Sequence, residues 1–329
     1  MRKIMFGAIA LMIGAIGFAQ DNQSTVFQNG NDLKSVVNQT GNNNVADQNQ
    51  VDTWDEVYIS QKGTSNYAKQ VQTDGPAANE RLNVAKINQM GNGNKAWQTQ
   101  SGEVDEAYAT QEGKENESRQ TQTEWNDYSK INQNGNGNKA TQEQKNGSGH
   151  NIANTSQKGM GNQAWQYQID GFRNTASVEQ HGKMNEARQT QNGNAFYGAD
   201  QQNLVSIVQE GDENKATQKQ DNSIGGENNR NKSYITQNGS KNIAAQDQFG
   251  DIDFAKITQK GSENYGYQKQ EINTIGETAI LMQNGKGNES WQYQYGEGNT
   301  SNVNQTGLSQ WSKTTQMGMN NTTTVTQSN

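Results

Sequence analysis

The chain has no cysteine, a single proline (Pro76) and two histidines, and only 29% of its 329 residues are hydrophobic. The first absence excludes disulfides, thiolate metal sites and lipidation through a cysteine after a leader. The scarcity of proline, with no shift of composition along the chain, leaves no linker to divide it. One elongated domain is therefore expected rather than the roughly two that length alone suggests. Catalysis has little to draw on, because His150 and His181 have no partner constellation beside them in sequence. Low apolar content and a mean hydropathy of −1.13 are the averages of a disordered or prion-like chain. The order of the residues contradicts those averages.

Arg2 and Lys3 precede an apolar run from Ile4 to Phe18, and Gly17 and Ala19 place small residues three and one before Gln20. This is the layout of a secretory signal peptide at 1–19, which leaves 20–329 as the mature domain. The run is shorter than the ~20 residues needed to span a bilayer, so no membrane span is expected in the mature chain. Of 27 basic and 34 acidic residues the leader carries Arg2 and Lys3, which moves the net charge from −7 to about −9. That balance favours solubility during export and opposes nucleic acid as a partner.

The rest of the chain is a tandem array. An anchoring glutamine recurs as Gln39, Gln61, Gln89, Gln111, Gln133, Gln157, Gln180, Gln209, Gln237, Gln259 and Gln283. Two residues after each stands a glycine: Gly41, Gly63, Gly91, Gly113, Gly135, Gly159, Gly182, Gly211, Gly239, Gly261 and Gly285. Five after it stands Asn44, Asn66, Asn94, Asn116, Asn138, Asn162, Asn185, Asn214, Asn242, Asn264 or Asn288. Eleven after it stands Gln50, Gln72, Gln100, Gln122, Gln144, Gln168, Gln191, Gln220, Gln248, Gln270 or Gln294, and glutamine at position nine, from Gln48 to Gln292, is equally constant. Position minus two is mostly apolar, as Ile59, Ile87, Ile131, Val178, Ile207, Ile235, Ile257 and Leu281; position seven is mostly small, as Ala96, Ala140 and Ala164.

Positions minus four, minus two and zero share a parity, as do five, seven, nine and eleven, so each set points to one face of an extended strand. The x-G-x-x between them has the composition of a tight turn. A repeat of about 22 residues cannot bury a core alone and must stack on its neighbours. The expected fold is all-β, a β-solenoid of strand-turn-strand rungs forming two parallel in-register sheets. At a rise of about 4.8 Å per rung, equivalent residues make columns: an Ile/Val column, an Ala column, and Gln and Asn columns whose amides hydrogen-bond along the axis. Each amide carries both donors and an acceptor, so a column of them satisfies its own buried groups. Insertions fall only in the return half, as between Gln72 and Gln89 or Gln191 and Gln209, where a loop can bulge outward without disturbing the stack.

Trp97, Trp165, Trp291 and Tyr267 at position eight, with Tyr167 and Tyr293 at ten, fall on the opposite face. They read as cross-strand packing on a solvent-facing sheet, with lateral fibre contact or a sugar-binding strip as the alternative. The acids of the return turns, Asp52, Asp55, Glu56, Asp251 and Asp253, lack a fixed calcium-loop pattern. They are expected to be solvated charges that keep the exported chain soluble, as are Lys95, Lys139 and Lys215 at position six. No rung breaks the repetition with paired carboxylates, and the glycine-rich turns lack the helix and lysine of a phosphate loop. Neither an enzyme nor a cofactor is expected.

The pattern Q-x-G-x-x-N-x-A, closed by a glutamine eleven after the first, resembles the curlin repeat of bacterial curli fibres over nearly the whole mature chain. The chain differs from that family in carrying glutamine at position nine, and Asp55, Asn83, Asp105, Asp127 or Asn151 where the family has serine at minus six. The resemblance implies a secreted subunit of a functional amyloid, exported unfolded through an outer-membrane pore, met by a nucleator subunit, and polymerised with itself on the cell surface into biofilm matrix. A monomeric β-solenoid, serving as an adhesin or a carbohydrate- or ice-binding surface, is the alternative. It would need polar or helical caps, whereas Ser24, Val26 and Gln28 and then Thr323, Val325 and Gln327 keep strand periodicity close to both termini. Position eight runs Asp47, Lys69, Trp97, Arg119, Thr141, Trp165, too mixed for an ice-binding file.

Overall fold

A computed structural model describes residues 21–73, 82–146, 149–193, 202–221, 230–271 and 275–329. The signal peptide expected at 1–19 and Pro76 lie outside the described residues, as do parts of several return-half insertions. Everything else follows from the alternation of parity along the chain. Successive strands fall alternately into two parallel sheets of 13 strands each. One sheet runs from Gln23–Asn31 to Trp311–Met319, the other from Lys34–Asn42 to Thr322–Ser328.

Each strand pairs with the strand one repeat before and one repeat after it, in register. Tyr128–Asn136 lies between Glu106–Lys114 and Ile152–Met160, with Gln133 opposite Gln111 and Gln157 and Gly135 opposite Gly113 and Gly159. A longer return segment does not shift this register, since Gln61 still faces Gln89. The architecture is the expected all-β solenoid with two parallel in-register sheets.

The interior lies between the sheets, and it is narrow because one strand supplies alanine where the other supplies isoleucine. Two apolar clusters fill it, one around Ile59, Ile87, Ala96 and Ala109, the other around Ala164, Val178, Ile207, Ile235, Ile257 and Leu281. Position minus four adds a further inward column of Val57, Ala85, Ala107, Ala153, Ala176, Val205, Ala255 and Ala279, all buried. Ser118 and Thr155 interrupt the apolar columns between the clusters. There Gln142 Nε2 donates to Thr155 Oγ1 at 3.2 Å and its Oε1 accepts from Ser129 Oγ at 2.8 Å, whereas the buried Ser118 hydroxyl has no hydrogen-bond partner among the described residues. Ile131 beside it is 0% exposed, between Ala109 and Thr155 in its column. Ile131→Ala should cost about 2–5 kcal/mol, read from the urea midpoint, because neither small neighbour can refill the space.

The glycine turn differs in detail from its expected form. The strand continues through the glycine at position two and ends one residue later, as Tyr128–Asn136 does beyond Gly135. The glycine at position two has the positive φ expected of it, 128° at Gly135, and a second such residue sits at position four: Asn43, Ser65, Glu115 and Met184 have φ of 55, 55, 54 and 54°, and Gly137 has 64°. The ladder causes this, because the glycines of successive rungs stay paired. A Cβ on Gly135, at φ +128°, would stand 1.9 Å from the carbonyl oxygen of Gly159 in the next rung. Glycine is therefore required by the closeness of the rungs as much as by φ.

Candidate functional site

Nothing in the molecule is as continuous as its buried amides. The anchor glutamines form one file in which each Nε2 donates to the Oε1 of the next rung. Gln39 donates to Gln61 at 2.8 Å, Gln133 to Gln157 at 2.9 Å, Gln283 to Gln305 at 2.9 Å and Gln305 to Gln327 at 2.9 Å. All the expected anchors belong to it, and all are buried except Gln39 in the opening rung. The glutamines at eleven form a second file with the same sense, from Gln28 donating to Gln50 at 2.8 Å, through Gln144 donating to Gln168 at 2.9 Å, to Gln294 donating to Gln316 at 3.0 Å. Beyond Gln28 each Nε2 spends its other hydrogen on a backbone carbonyl across the interior, Gln133 on Glu117 O at 2.9 Å and Gln144 on Tyr128 O at 3.2 Å. That second bond fixes which end of the amide points up the axis.

The asparagines at five run the other way. Asn138 Nδ2 donates back to Asn116 Oδ1 at 3.1 Å, and that oxygen also accepts Asn138 N at 3.1 Å, while Nδ2 reaches Gly159 O at 3.1 Å. The same triple recurs at Asn66, Asn94, Asn116, Asn162, Asn185, Asn214, Asn242 and Asn264.

Two buried files were not among the expected sites. Glutamine at nine forms a third glutamine file, from Gln48 donating to Gln70 at 3.0 Å to Gln268 donating to Gln292 at 2.7 Å. Its regularity in the sequence, equal to that at eleven, is the signal that finds it. The other file corrects an expectation: Asp55 and Asp253, read as solvated charges, are buried at position minus six, with Asn83, Asp105, Asp127, Asn151 and Glu277. Minus six has the inward parity, and it repeats position five at the half-repeat offset of eleven. Asp253 Oδ1 accepts Glu277 N at 3.0 Å, as an asparagine oxygen does in the other file. Burial holds the Asp105 carboxyl well above the usual carboxylate range, with Asp127 adding to the shift. Burial pushes Asp127 up to about 7. Nothing is described of the Asp52 side chain. Glu56 stays at the surface, where a hydrogen bond from Tyr58 and then Lys34 hold its carboxyl below its usual range.

The outward aromatics pack along the sheets: Tyr67 on Trp97 at 5.7 Å, Tyr267 on Trp291 at 5.5 Å and on Tyr293 at 5.7 Å between ring centroids. Arg119 lies over Trp97 and Arg188 over Tyr167. Lys139 and Lys215 are exposed and pair with Glu117 at 3.8 Å and Glu186 at 3.5 Å, contacts worth little in water. His150 is wedged between Trp125 and Phe172 at 4.5 and 5.1 Å, and burial lowers its pKa. His181 Nε2 stands 3.2 Å from Glu179. Among the described residues no three His, Asp or Glu side chains gather as a metal site, and no helix is long and apolar enough to cross a membrane.

What the files offer chemically is at their ends. Among the described residues no donor reaches the side-chain oxygens of Gln28 and Gln39 in the opening rung, whose nitrogens are engaged inward. At the closing rung Gln316 and Gln327 donate to Thr300 O and Trp311 O, and among the described residues no further glutamine follows them. The asparagine file ends on Gln310, whose N donates to Asn288 Oδ1 at 3.0 Å and whose own Oε1, in a residue 8% exposed, has no partner. Asn22 opens that file and accepts from Asn44 while its Nδ2 donates to Gly41 O. Among the described residues one end thus lacks donors for its glutamine oxygens, and at the other the glutamine nitrogens, held by Thr300 O and Trp311 O, have no next amide to continue the file. A comparison with models of known protein families finds no match, and no curated protein matches the chain.

Proposed function

We propose that the chain is a secreted structural subunit of an extracellular, curli-like amyloid fibre, extended by stacking the closing rung of one copy on the opening rung of the next. The observation that carries this reading is the complementarity of the two ends. In the repeat register Gln316 and Gln327 of one copy meet Gln28 and Gln39 of the next, nitrogen to oxygen, and Asn22 of the incoming copy reaches the unpartnered Oε1 of Gln310. Head-to-head joining would set oxygen against oxygen and nitrogen against nitrogen. Among the described residues the terminal strands are paired on one side only, Trp311–Met319 and Thr322–Ser328 at one end and Gln23–Asn31 and Lys34–Asn42 at the other, and open edges template further strands.

The sequence resemblance adds the setting: secretion by the signal peptide, passage through an outer-membrane pore, a nucleating partner subunit, and a place in biofilm matrix and surface adhesion. The role is structural rather than enzymatic. Purified chain at neutral pH should form unbranched filaments that raise thioflavin fluorescence and diffract near ~4.7 and ~10 Å. A compact monomer persisting for days at high concentration would instead favour a solenoid that acts alone as an adhesin.

A further inference from the structure

The file at minus six mixes asparagine with acid, and the two are not equivalent. At four of its asparagines Nδ2 donates to the carbonyl of a turn in the next rung, Asn83 to Gly102 O at 2.9 Å, Asn151 to Gly171 O at 3.3 Å, Asn231 to Gly250 O at 2.6 Å and Asn299 to Gly318 O at 2.8 Å, whereas the buried Asn174 amide has no partner among the described residues. Asp105 and Asp127 occupy successive rungs of this file at 0% and 1% exposure. Each uses Oδ1 as the asparagines do, accepting Asp127 N and Asn151 N at 2.9 Å. Each Oδ2 is buried and without a hydrogen-bond partner. At Asp105 the turn carbonyl is that of Glu124: a Cβ built on Gly102 would stand 1.3 Å from Glu124 O and 2.7 Å from Asp105 Oδ2. An ionised carboxylate there sets lone pair against lone pair in the place where an amide N–H belongs.

We propose that Asp105 and Asp127 are uncharged carboxylic acids in the folded chain, the Asp105 Oδ2–H standing in for the asparagine Nδ2–H, so that the pair is a proton-binding device that makes these rungs form in acid and resist forming above neutrality. The surroundings agree with this assignment. Asp105 is faced by Asp127, Glu124 and, through Asn83, Asp55, and Asp127 is faced by Asp105 and Glu124. Among the described residues no basic side chain pairs with either; burial and then Arg173 lower the pKa of His150. Raised folded values place more protons on the folded chain than on the unfolded one. Stability is therefore full below the ordinary aspartate value of 3.8, and for Asp127 it falls as pH climbs to about 7. Each such proton is worth up to about tenfold in the folding equilibrium per pH unit across that window.

The test compares wild type with Asp105→Asn/Asp127→Asn and with a charge-matched control, Glu115→Gln/Glu213→Gln, whose acids are exposed. The readout is the concentration of soluble chain left when assembly ends, between pH 5 and 8. In wild type and control it should rise with pH at least tenfold more than in the Asp105/Asp127 variant. Glu124, Asp251 and Glu277, also raised by burial, keep a shallower slope in all three. An infrared carbonyl band of protonated carboxylic acid at pH 6 should weaken only in the Asp105/Asp127 variant. The proposal needs folded rungs and not the fibre of the preceding section: if the chain remains monomeric, the urea midpoint replaces the soluble concentration, with the same ordering expected. It is overturned if the Asp105/Asp127 variant keeps the wild-type slope, if the control loses it equally, or if millimolar calcium at pH 7.5 restores wild-type assembly without the acid band, which would make the site a cation site.

Discussion

Gly135→Ala abolishes stacking across the middle of the molecule, whereas Gly137→Ala two residues later is tolerated. Both glycines have positive φ, 128° and 64°, so backbone freedom alone does not separate them. Space does. An alanine methyl at 135 lands 1.9 Å from Gly159 O and 2.9 Å from its carbonyl carbon, whereas one at 137 meets nothing within 4 Å. Relief at 135 requires two backbones to move apart, which breaks ladder hydrogen bonds on both sides in addition to the φ strain. The cost exceeds ~3 kcal/mol. At 137 only the left-handed conformation is penalised, by about 1 kcal/mol, and other rungs already place Ser65 and Glu115 there. Thioflavin assembly curves of the two variants should differ qualitatively, with no growth for Gly135→Ala and near wild-type growth for Gly137→Ala. Equal behaviour would mean that adjacent rungs are not in contact through their glycines.

Gln144→Leu is the second large effect. Leucine fills the volume but leaves three buried groups with one partner fewer. Gln122 Nε2 loses its acceptor at 3.2 Å, Gln168 Oε1 its donor at 2.9 Å and Tyr128 O its donor at 3.2 Å. At about 1–3 kcal/mol for each group that loses a partner the loss is on the order of 3–9 kcal/mol, little of it recovered by burying leucine in place of an amide already packed. Gln163→Leu, at an exposed position, should stay within about 0.5 kcal/mol of wild type. A denaturation midpoint unchanged in Gln144→Leu would show that the amide file contributes nothing to stability.

The sequence made the columns legible because every rung repeats them. Glutamine at zero and eleven, asparagine at five and the apolar residue at minus two recur with inward parity, and in a stacked fold parity and period determine burial. The turn was less legible: a glycine flanked by polar residues has the same composition whether the strand stops before it or runs through it, and only the next rung's carbonyl decides. The buried file of Asp105 and Asp127 was harder to read. Insertions elsewhere in the return half blur the spacing of eleven that equates minus six with five, although Asn94 to Asp105 and Asn116 to Asp127 keep it, and composition treats aspartate as a surface charge although Asn83 and Asn151 beside it show which contact the file makes. The direction of the amide files depends on which carbonyl across the interior takes the second hydrogen, and no spacing in the chain encodes that.

Because the chain has no cysteine, single spin labels can be placed without background, and they separate a chain that stacks on itself from chains that stack flat on one another. Lys139 and Glu117 are outward neighbours in adjacent rungs. In fibres of Lys139→Cys labels on successive copies should be 13 rungs apart, on the order of 60 Å, and the spectrum should show no spin exchange. Glu117→Cys/Lys139→Cys should show strong coupling within each copy. A single exchange-narrowed line from Lys139→Cys alone, or two uncoupled labels in the double variant, would contradict the solenoid.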